Sequence, residues 1–220
     1  MITSTVEDYL KALLRIEERQ ERVSTSDVAR TLAVADSSVT DMLHKLHKAG
    51  LLEHRPYHGA TLTEKGRKAA LRILRRHRLV ELFLHDALGY GWEQVHQEAE
   101  KLEHVVSDFF IERVDALLKH PVRDPHGEAI PDAEGRWPAE EGTCLANAPE
   151  GEYEIVRIAN GAAGLFDYLE AEGLRPGGRV TLIEKAPFGG PLVLKPAGSR
   201  KRVHLGVEAA TSMYVKSIGE

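Results

Sequence analysis

Residues 75–110 read RRHRLVELFLHDALGYGWEQVHQEAEKLEHVVSDFF, and the spacing of their histidines and acids decides how the rest of the chain is understood. His77 and Glu81 are four apart, so on a helix they lie one turn above the other on a single face. His96, Glu100, Glu103 and His104 fall at i, i+4, i+7 and i+8, again a single face. Two helices turning such faces toward each other would gather up to three imidazoles and three carboxylates. That supply suits Mn²⁺, Fe²⁺, Co²⁺, Ni²⁺ or Zn²⁺ and is more nitrogenous than calcium or magnesium sites. The competing reading is a wet polar stripe. Leu79, Val80, Leu82, Phe83 and Leu84 crowd the first pair, and Val95, Leu102, Val105 and Val106 the second set, which argues for burial. Buried charges require a partner or a metal.

Working back from this stretch, Thr63 or Glu64 opens a long helix that is basic in its first half (Lys65, Arg67, Lys68, Arg72, Arg75, Arg76, Arg78) and apolar in its second, ending at Gly89. It links a basic head to an apolar body. The next helices are expected at about 94–108 and 109–118, and together the three carry more Leu, Val and Phe than they can cover. Pairing with a second copy is the simplest remedy.

Ahead of the long helix, residues 5–19 place Tyr9, Leu10, Leu13 and Leu14 on one helical face, with Glu7 and Asp8 in the first turn, where carboxylates favour the helix dipole. Thr25 can cap a helix through about Leu32, and after a brief turn Asp36 or Ser37 caps another whose apolar set is Val39, Met42, Leu43 and Leu46, closing at Gly50. LLEHR, PYHG and ATLT then read as strand, turn and strand, a small wing. This is a winged helix-turn-helix. Ser37, Ser38, Thr40, Asp41, His44, Lys45 and Lys48 form the polar side of the second helix, its early members placed for base edges and its later bases for phosphates. Arg55, Tyr57 and His58 sit at or near the wing tip.

After the central stretch, residues 119–143 are rich in Pro, Gly and acids and read as a linker, with His120 and His126 as polar loop residues. From about Asn147 the pattern changes to period two, broken by a short helix at GLFDYLEAEG, which describes a small SH3-like β-barrel. His204, between Val203 and Leu205, belongs on a strand surface. The fold expected is therefore mainly α, in three parts. These are a winged helix-turn-helix DNA-binding domain over 1–64, a helical dimerisation and metal-binding domain with linker over 65–140, and an SH3-like, FeoA-like domain over 141–220.

Composition agrees. Residues 1–80 hold 15 Lys plus Arg against 10 Asp plus Glu, a charge of +5, whereas residues 81–220 hold 14 against 24, a charge of −10. The basic part can face a polyanion. The single cysteine, Cys144, excludes an internal disulfide and a cysteine-based zinc site. No run of eighteen apolar residues and no basic leader precedes the first helix, so a cytoplasmic chain without membrane contact is expected.

Taken together, EDYLKALLRIEE, SSVTDMLHKLHKAGLL, LTEKG, RHRLVELFL, VHQEAEKLEHVVSD, HPVRDPHGEAIP and the C-terminal barrel resemble the diphtheria-toxin-repressor and manganese-transport-regulator family of bacterial metal-dependent transcription factors, in its three-domain form. The resemblance spans essentially the whole chain. It implies a homodimer on a palindromic operator, repressing metal-uptake genes when divalent metal binds. One site would be His77, Glu81 and His96, and the other Asp8, Glu100, Glu103 and His104. Iron-type members have cysteine at the position of Glu100 and methionine at that of Asp8, so carboxylates at both imply Mn²⁺, with Fe²⁺ as the alternative and Co²⁺, Ni²⁺ or Zn²⁺ as substitutes in vitro. Two-domain manganese sensors place an acid where this chain has Lys11, so their close two-metal cluster is not copied intact. At the barrel positions of the iron-type ligands stand Ala162 and Leu165, neither able to bind metal; Asp167 or water could substitute. An enzyme is not expected, because a winged helix gives a metal hydrolase with Glu103 as base no use. A metal-independent winged-helix dimer, its acids in ion pairs, is the remaining rival.

Overall fold

The computed structural model describes residues 3–18, 20, 22–55, 59–139, 141–159 and 164–218, without the side chains of 54, 55 and 93. The chain divides into two compact units. One is Met1–His77 with Glu100–Ile111 and Pro131–Trp137; the other is Arg78–Ala99 with Glu112–Ile130 and Pro138–Glu220.

In the first unit, helix α1 (Ser4–Glu17) starts where the Thr3 hydroxyl accepts the Val6 N–H, and it buries Leu10, Leu13 and Leu14. Helix α2 (Thr25–Leu32) is capped by Ser24, one residue before the expected Thr25. Ala33, in the left-handed region at φ 53°, ends it and makes the tight turn. Helix α3 (Asp36–Lys48) follows without a side-chain cap, since Ala35 occupies that place. Asp36, expected as a cap, is instead a first-turn acid, and its carbonyl accepts the Thr40 hydroxyl at 3.0 Å. Gly50, at φ 68°, closes α3 by a Schellman arrangement in which Gly50 N–H reaches His47 O and Leu51 N–H reaches Leu46 O.

Strands β1 (Leu52–Arg55) and β2 (Gly59–Leu62) pair antiparallel as the wing. Helix α4 (Glu64–Leu88) begins after Thr63, whose hydroxyl accepts the Gly66 N–H at 3.1 Å. Val28, Val39, Leu43, Leu46, Leu52, Ala70 and Leu74 close one core with the α1 leucines.

Helix α5 (Trp92–Leu102) ends earlier than the hydrophobic periodicity suggests, and helix α6 (Asp108–Leu117) follows a turn. The Val105 and Val106 N–H groups both return to Leu102 O, and Val105, expected to shelter the acids, is 76% exposed. Glu103 and His104 therefore lie in the turn and not on the helical face.

The second unit is organised on an antiparallel sheet in the order β3-β8-β4-β5-β6-β7. Its strands are β3 (Thr143–Cys144), β4 (Gly151–Ile158), β5 (Arg179–Lys185), β6 (Leu192–Pro196), β7 (Val203–Leu205) and β8 (Met213–Ser217). Helix α7 (Leu165–Ala171) precedes β5, and α8 (Val207–Thr211) interrupts what reads in sequence as continuous strand. Ile155, Ile158, Leu182, Leu194, Leu205 and Met213 fill the barrel core together with Leu169 of α7 and Trp92 of α5. His204 is exposed between buried Val203 and Leu205, as alternation requires.

Of the segment that composition marks as a linker, residues 119–130 are built into this unit. Arg123 and Ala129 bridge, and Asp124, His126 and Ile130 are buried. Gly127 sits so close to β4 that a Cβ would fall 2.1 Å from Val156 O. Only glycine fits there.

Candidate metal centre and reading helix

In the first unit, α1 contributes Asp8, and the end of α5 with the turn beyond it contributes Glu100, Glu103 and His104. One ligand atom from each of these four lies within 4.8 Å of the others. His104 Nε2 is 3.0 Å from Asp8 Oδ1 and 3.6 Å from Glu103 Oε1. His77 of α4 joins this set: its Nδ1 hydrogen-bonds Glu103 Oε2 and lies 3.9 Å from Glu100 Oε1. Two further residues complete the group. Lys11 Nζ donates to Glu100 Oε1 at 2.8 Å and to Glu103 Oε1 at 2.6 Å. Glu7 Oε2 takes His104 Nδ1 at 2.7 Å. The sequence reading gave Glu7 only a helix-dipole role; its adjacency to Asp8 in the first turn was the available signal.

Electrostatics sort the acids. Burial raises the Asp8 carboxyl above its ordinary range, with His104 and Lys11 opposing and Glu100 and Glu103 reinforcing. Burial also works to raise Glu103, but the hydrogen bonds and charges of His77 and Lys11 outweigh it and hold Glu103 low. Glu103 is thus an anion with no solvent exposure, compensated by cationic or donor groups. Three carboxylates and an imidazole converging on one small volume fit a divalent ion of the hard-to-borderline kind.

In the second unit Glu81 and His96 meet, Oε1 to Nδ1, at 3.1 Å. The buried loop brings Asp124 and His126 to the same neighbourhood. The Asp124 carboxyl is pushed up to about 8, by burial first and by the charge of Glu81 second, while Arg78 pulls the other way. Burial lowers His126, which feels both Glu81 and His96. Its ring stacks on Phe166 at 4.2 Å, and its buried Nδ1 has no hydrogen-bond partner among the described residues. Asp124 and His126 were missed as candidates; an acid and a histidine two apart inside Asp-Pro-His-Gly look like turn residues until the turn is seen to be buried.

On α3, Ser37, Ser38, Thr40, Asp41, His44, Lys45 and Lys48 are all exposed, while Val39, Leu43 and Leu46 point into the core. The polar face is therefore available along the whole helix. Arg55 ends β1, but its side chain, like Tyr57 and His58, lies outside the described residues, as does Ala162. Leu165 packs against the barrel core.

A helix-turn-helix with a wing, joined to a cluster of buried acids and histidines, defines the class: a DNA-binding regulator that answers to metal. Residues 1–60 match the iron dependent repressor N-terminal DNA binding domain, residues 63–132 the iron dependent repressor metal binding and dimerisation domain, and residues 143–217 the FeoA domain. The chain belongs to the diphtheria-toxin-repressor and manganese-transport-regulator family of metal-dependent transcriptional regulators, in its three-domain form. It is 36% identical over 137 residues to the HTH-type transcriptional regulator MntR of Geobacillus kaustophilus, covering 62% of this chain and 96% of that one. It is 29% identical over 230 aligned positions to the iron-dependent repressor IdeR of Mycobacterium tuberculosis, covering 99% of both. A solved structure described as a manganese-dependent transcriptional repressor in complex with manganese superposes with a TM-score of 0.88 at 36% identity, covering 96% of this chain and 99% of that one. Among the described residues, no helix is long and apolar enough to cross a membrane.

Proposed function

We propose that this metal-dependent regulator is a manganese-activated repressor of metal-uptake genes that binds a palindromic operator as a cytoplasmic homodimer. In that division of labour residues 1–64 read DNA, 65–140 pair subunits and hold metal, and 141–220 form the barrel. Asp8, Glu100, Glu103 and His104 would hold the activating ion. The observation that carries the reading is the donor set itself: three carboxylates to one imidazole within 4.8 Å, with carboxylates at both Asp8 and Glu100. Hard oxygen ligands suit Mn²⁺, which is selected over softer ions by ligand type, geometry and metal supply and not by raw affinity. The solved structures described as a manganese-dependent repressor and a manganese regulator support the same choice.

A bound divalent ion supplies positive charge and directional bonds between α1 and the turn after α5. Asp8 then ties the helix that packs on the reading head, and Glu103 and His104 provide the fixed side of the joint. Without that tie, among the described residues, α1 is held to the turn only by the Lys11 ammonium and by His104, and the joint loosens. Holding it restricts the setting of α3 and lowers the cost of fitting two recognition helices into major-groove faces about 34 Å apart. A tenfold rise in operator affinity requires only about 1.4 kcal/mol of coupling. Exposed Phe109 at 70% and Leu117 at 63% on α6 support pairing with a second copy. Glu81 and His96, with Asp124 and His126, we assign to an auxiliary ion site.

The test is operator binding by fluorescence anisotropy during titration with Mn²⁺, anaerobic Fe²⁺, Co²⁺ and Zn²⁺, for wild type and Asp8→Ala. Mn²⁺ should activate best at its cellular free concentration, and Asp8→Ala should lose the metal dependence. Stronger activation by Fe²⁺ than by Mn²⁺, each at its cellular free concentration, would make the chain an iron sensor, and Asp8→Ala with unchanged metal dependence would remove the joint.

A further inference from the structure

His104 stands between two carboxylates that are neighbours in sequence. Its Nδ1 is 2.7 Å from Glu7 Oε2, and its Nε2 is 3.0 Å from Asp8 Oδ1. A neutral imidazole carries one N–H and one lone pair, so whichever nitrogen keeps the proton leaves the other to ligate. The two sides are not equivalent. Asp8 and Glu103 line the Nε2 side, whereas among the described residues Glu7 is the acid that bonds Nδ1.

Glu7 is itself held. Its other oxygen, Oε1, is 4.0 Å from Arg76 Nη1, and both side chains are largely buried. Arg76 in turn donates to the main-chain carbonyl of Glu103 at 3.0 Å and to Asp108 Oδ1 at 2.9 Å. One guanidinium therefore hydrogen-bonds the peptide immediately before His104 and lies at ion-pair range of the carboxylate that meets His104. A carboxylate hydrogen-bonded through one oxygen to His104, with Arg76 at ion-pair range of the other, is well placed to aim the ligand that meets the ion.

We propose that Glu7 is a positioning residue: it holds the proton on His104 Nδ1 and thereby presents the Nε2 lone pair to the divalent ion gathered by Asp8, Glu100 and Glu103. The assignment rests on the metal reading of that cluster for its second half only, since the tautomer exists with or without an ion. Carboxylates and carbonyls that accept the far N–H of a ligating histidine commonly matter 10–100-fold to metal affinity. A first-turn acid serving only the helix dipole would contribute a few tenths of that in free energy and would leave the imidazole indifferent.

The experiment uses the full-length chain and two variants, Glu7→Ala and Glu7→Gln; the glutamine keeps an oxygen that can accept the Nδ1 proton. Imidazole nitrogen shifts of His104 are read by NMR in the metal-free protein at a pH where imidazoles are neutral. Mn²⁺ affinity is then read by calorimetry, with circular dichroism to verify folding. The Nδ1–H share of His104 should be larger in wild type and Glu7→Gln than in Glu7→Ala, where Asp8 and Glu103 on the other side draw the proton to Nε2. Mn²⁺ affinity should fall about 10–100-fold in Glu7→Ala at unchanged stoichiometry, and recover most of that in Glu7→Gln. An unchanged tautomer in Glu7→Ala overturns the assignment, as does a loss of one bound ion per chain, which would make Glu7 a ligand. If the tautomer responds but wild type takes up no Mn²⁺, the metal reading fails and Glu7 orients a histidine of other purpose, which overturns the second half alone.

Discussion

Lys11 Nζ lies 2.6 Å from Glu103 Oε1, and both side chains are almost wholly removed from solvent. The ammonium occupies the inside of the acid cluster and compensates charge that would otherwise be buried alone. Removing one partner of such a pair costs about 3–5 kcal/mol, and His77 on the other Glu103 oxygen brings the expectation toward the lower end. Lys11→Met should therefore melt several degrees below wild type when free of metal, and saturating Mn²⁺ should recover most of the difference. Thermal melts with and without Mn²⁺ check this. An equal deficit in both conditions would mean that Lys11 acts by packing and not by charge.

The far end of α1 makes a second connection. Glu17 Oε1 accepts the Leu62 N–H of the wing at 2.6 Å, and its Oε2 accepts from Arg67 of α4 at 2.5 Å. The same helix thus carries cluster residues near its start and a wing anchor at its end. Glu17→Ala strands a backbone donor and should cost about 1–3 kcal/mol of stability. Operator affinity in saturating Mn²⁺ should fall about tenfold, a coupling of about 1.4 kcal/mol, with Mn²⁺ affinity unaltered. Anisotropy and calorimetry on the same sample separate the two quantities.

Asp124 gives a pH signature. Its carboxyl is pushed up to about 8 in the folded chain, against about 4 for an ordinary aspartate. Between those values the native state binds more protons than the unfolded one, so this group's contribution to stability declines as pH rises through the window. Asp124→Asn keeps an oxygen for the His126 and Glu128 N–H groups, which Oδ1 accepts at 2.9 Å each, and removes the charge. Metal-free Asp124→Asn should melt close to wild type near pH 4 and increasingly above it as pH rises to 9. Parallel melting curves at the two pH values would place the charge elsewhere.

On the reading helix, Lys48 is exposed in the last turn of α3 and carries positive charge where phosphate would pass. Lys48→Ala should weaken binding to all sequences alike and reduce the salt slope by about 1. Ser37→Ala, at the opposite end of α3, should change sequence preference and leave the slope alone. Operator and scrambled duplexes titrated across a salt series distinguish them.

Much of the first unit is local in origin and so was open to reading from the chain. The spacing of Leu10, Leu13 and Leu14, the apolar set of α3 and the glycine that ends it are decided within a few residues of themselves. Where caps were misplaced, at Thr25 and at Asp36 or Ser37, the cap falls earlier, at Ser24, whose hydroxyl accepts the Asp27 N–H, and at Ala35, whose extended backbone serves without a side-chain bond. The end of α5 was harder. No glycine or proline follows Leu102, and the helix stops there because Glu103 turns inward to His77 and Lys11, partners 26 and 92 residues away in sequence.

Residue order alone determined the winged helix, the exposed face of α3, and the supply of histidines and acids from which a metal centre could be drawn, because helical period and turn chemistry act over short range. Tertiary structure alone decided which of those groups meet. It joined His77 to Glu103, seated Lys11 among the acids, set Glu7 against His104, and buried Asp124 and His126 in what looked like a linker. Burial and pairing across distant segments are properties of packing, and charge takes its meaning from the neighbours that packing supplies.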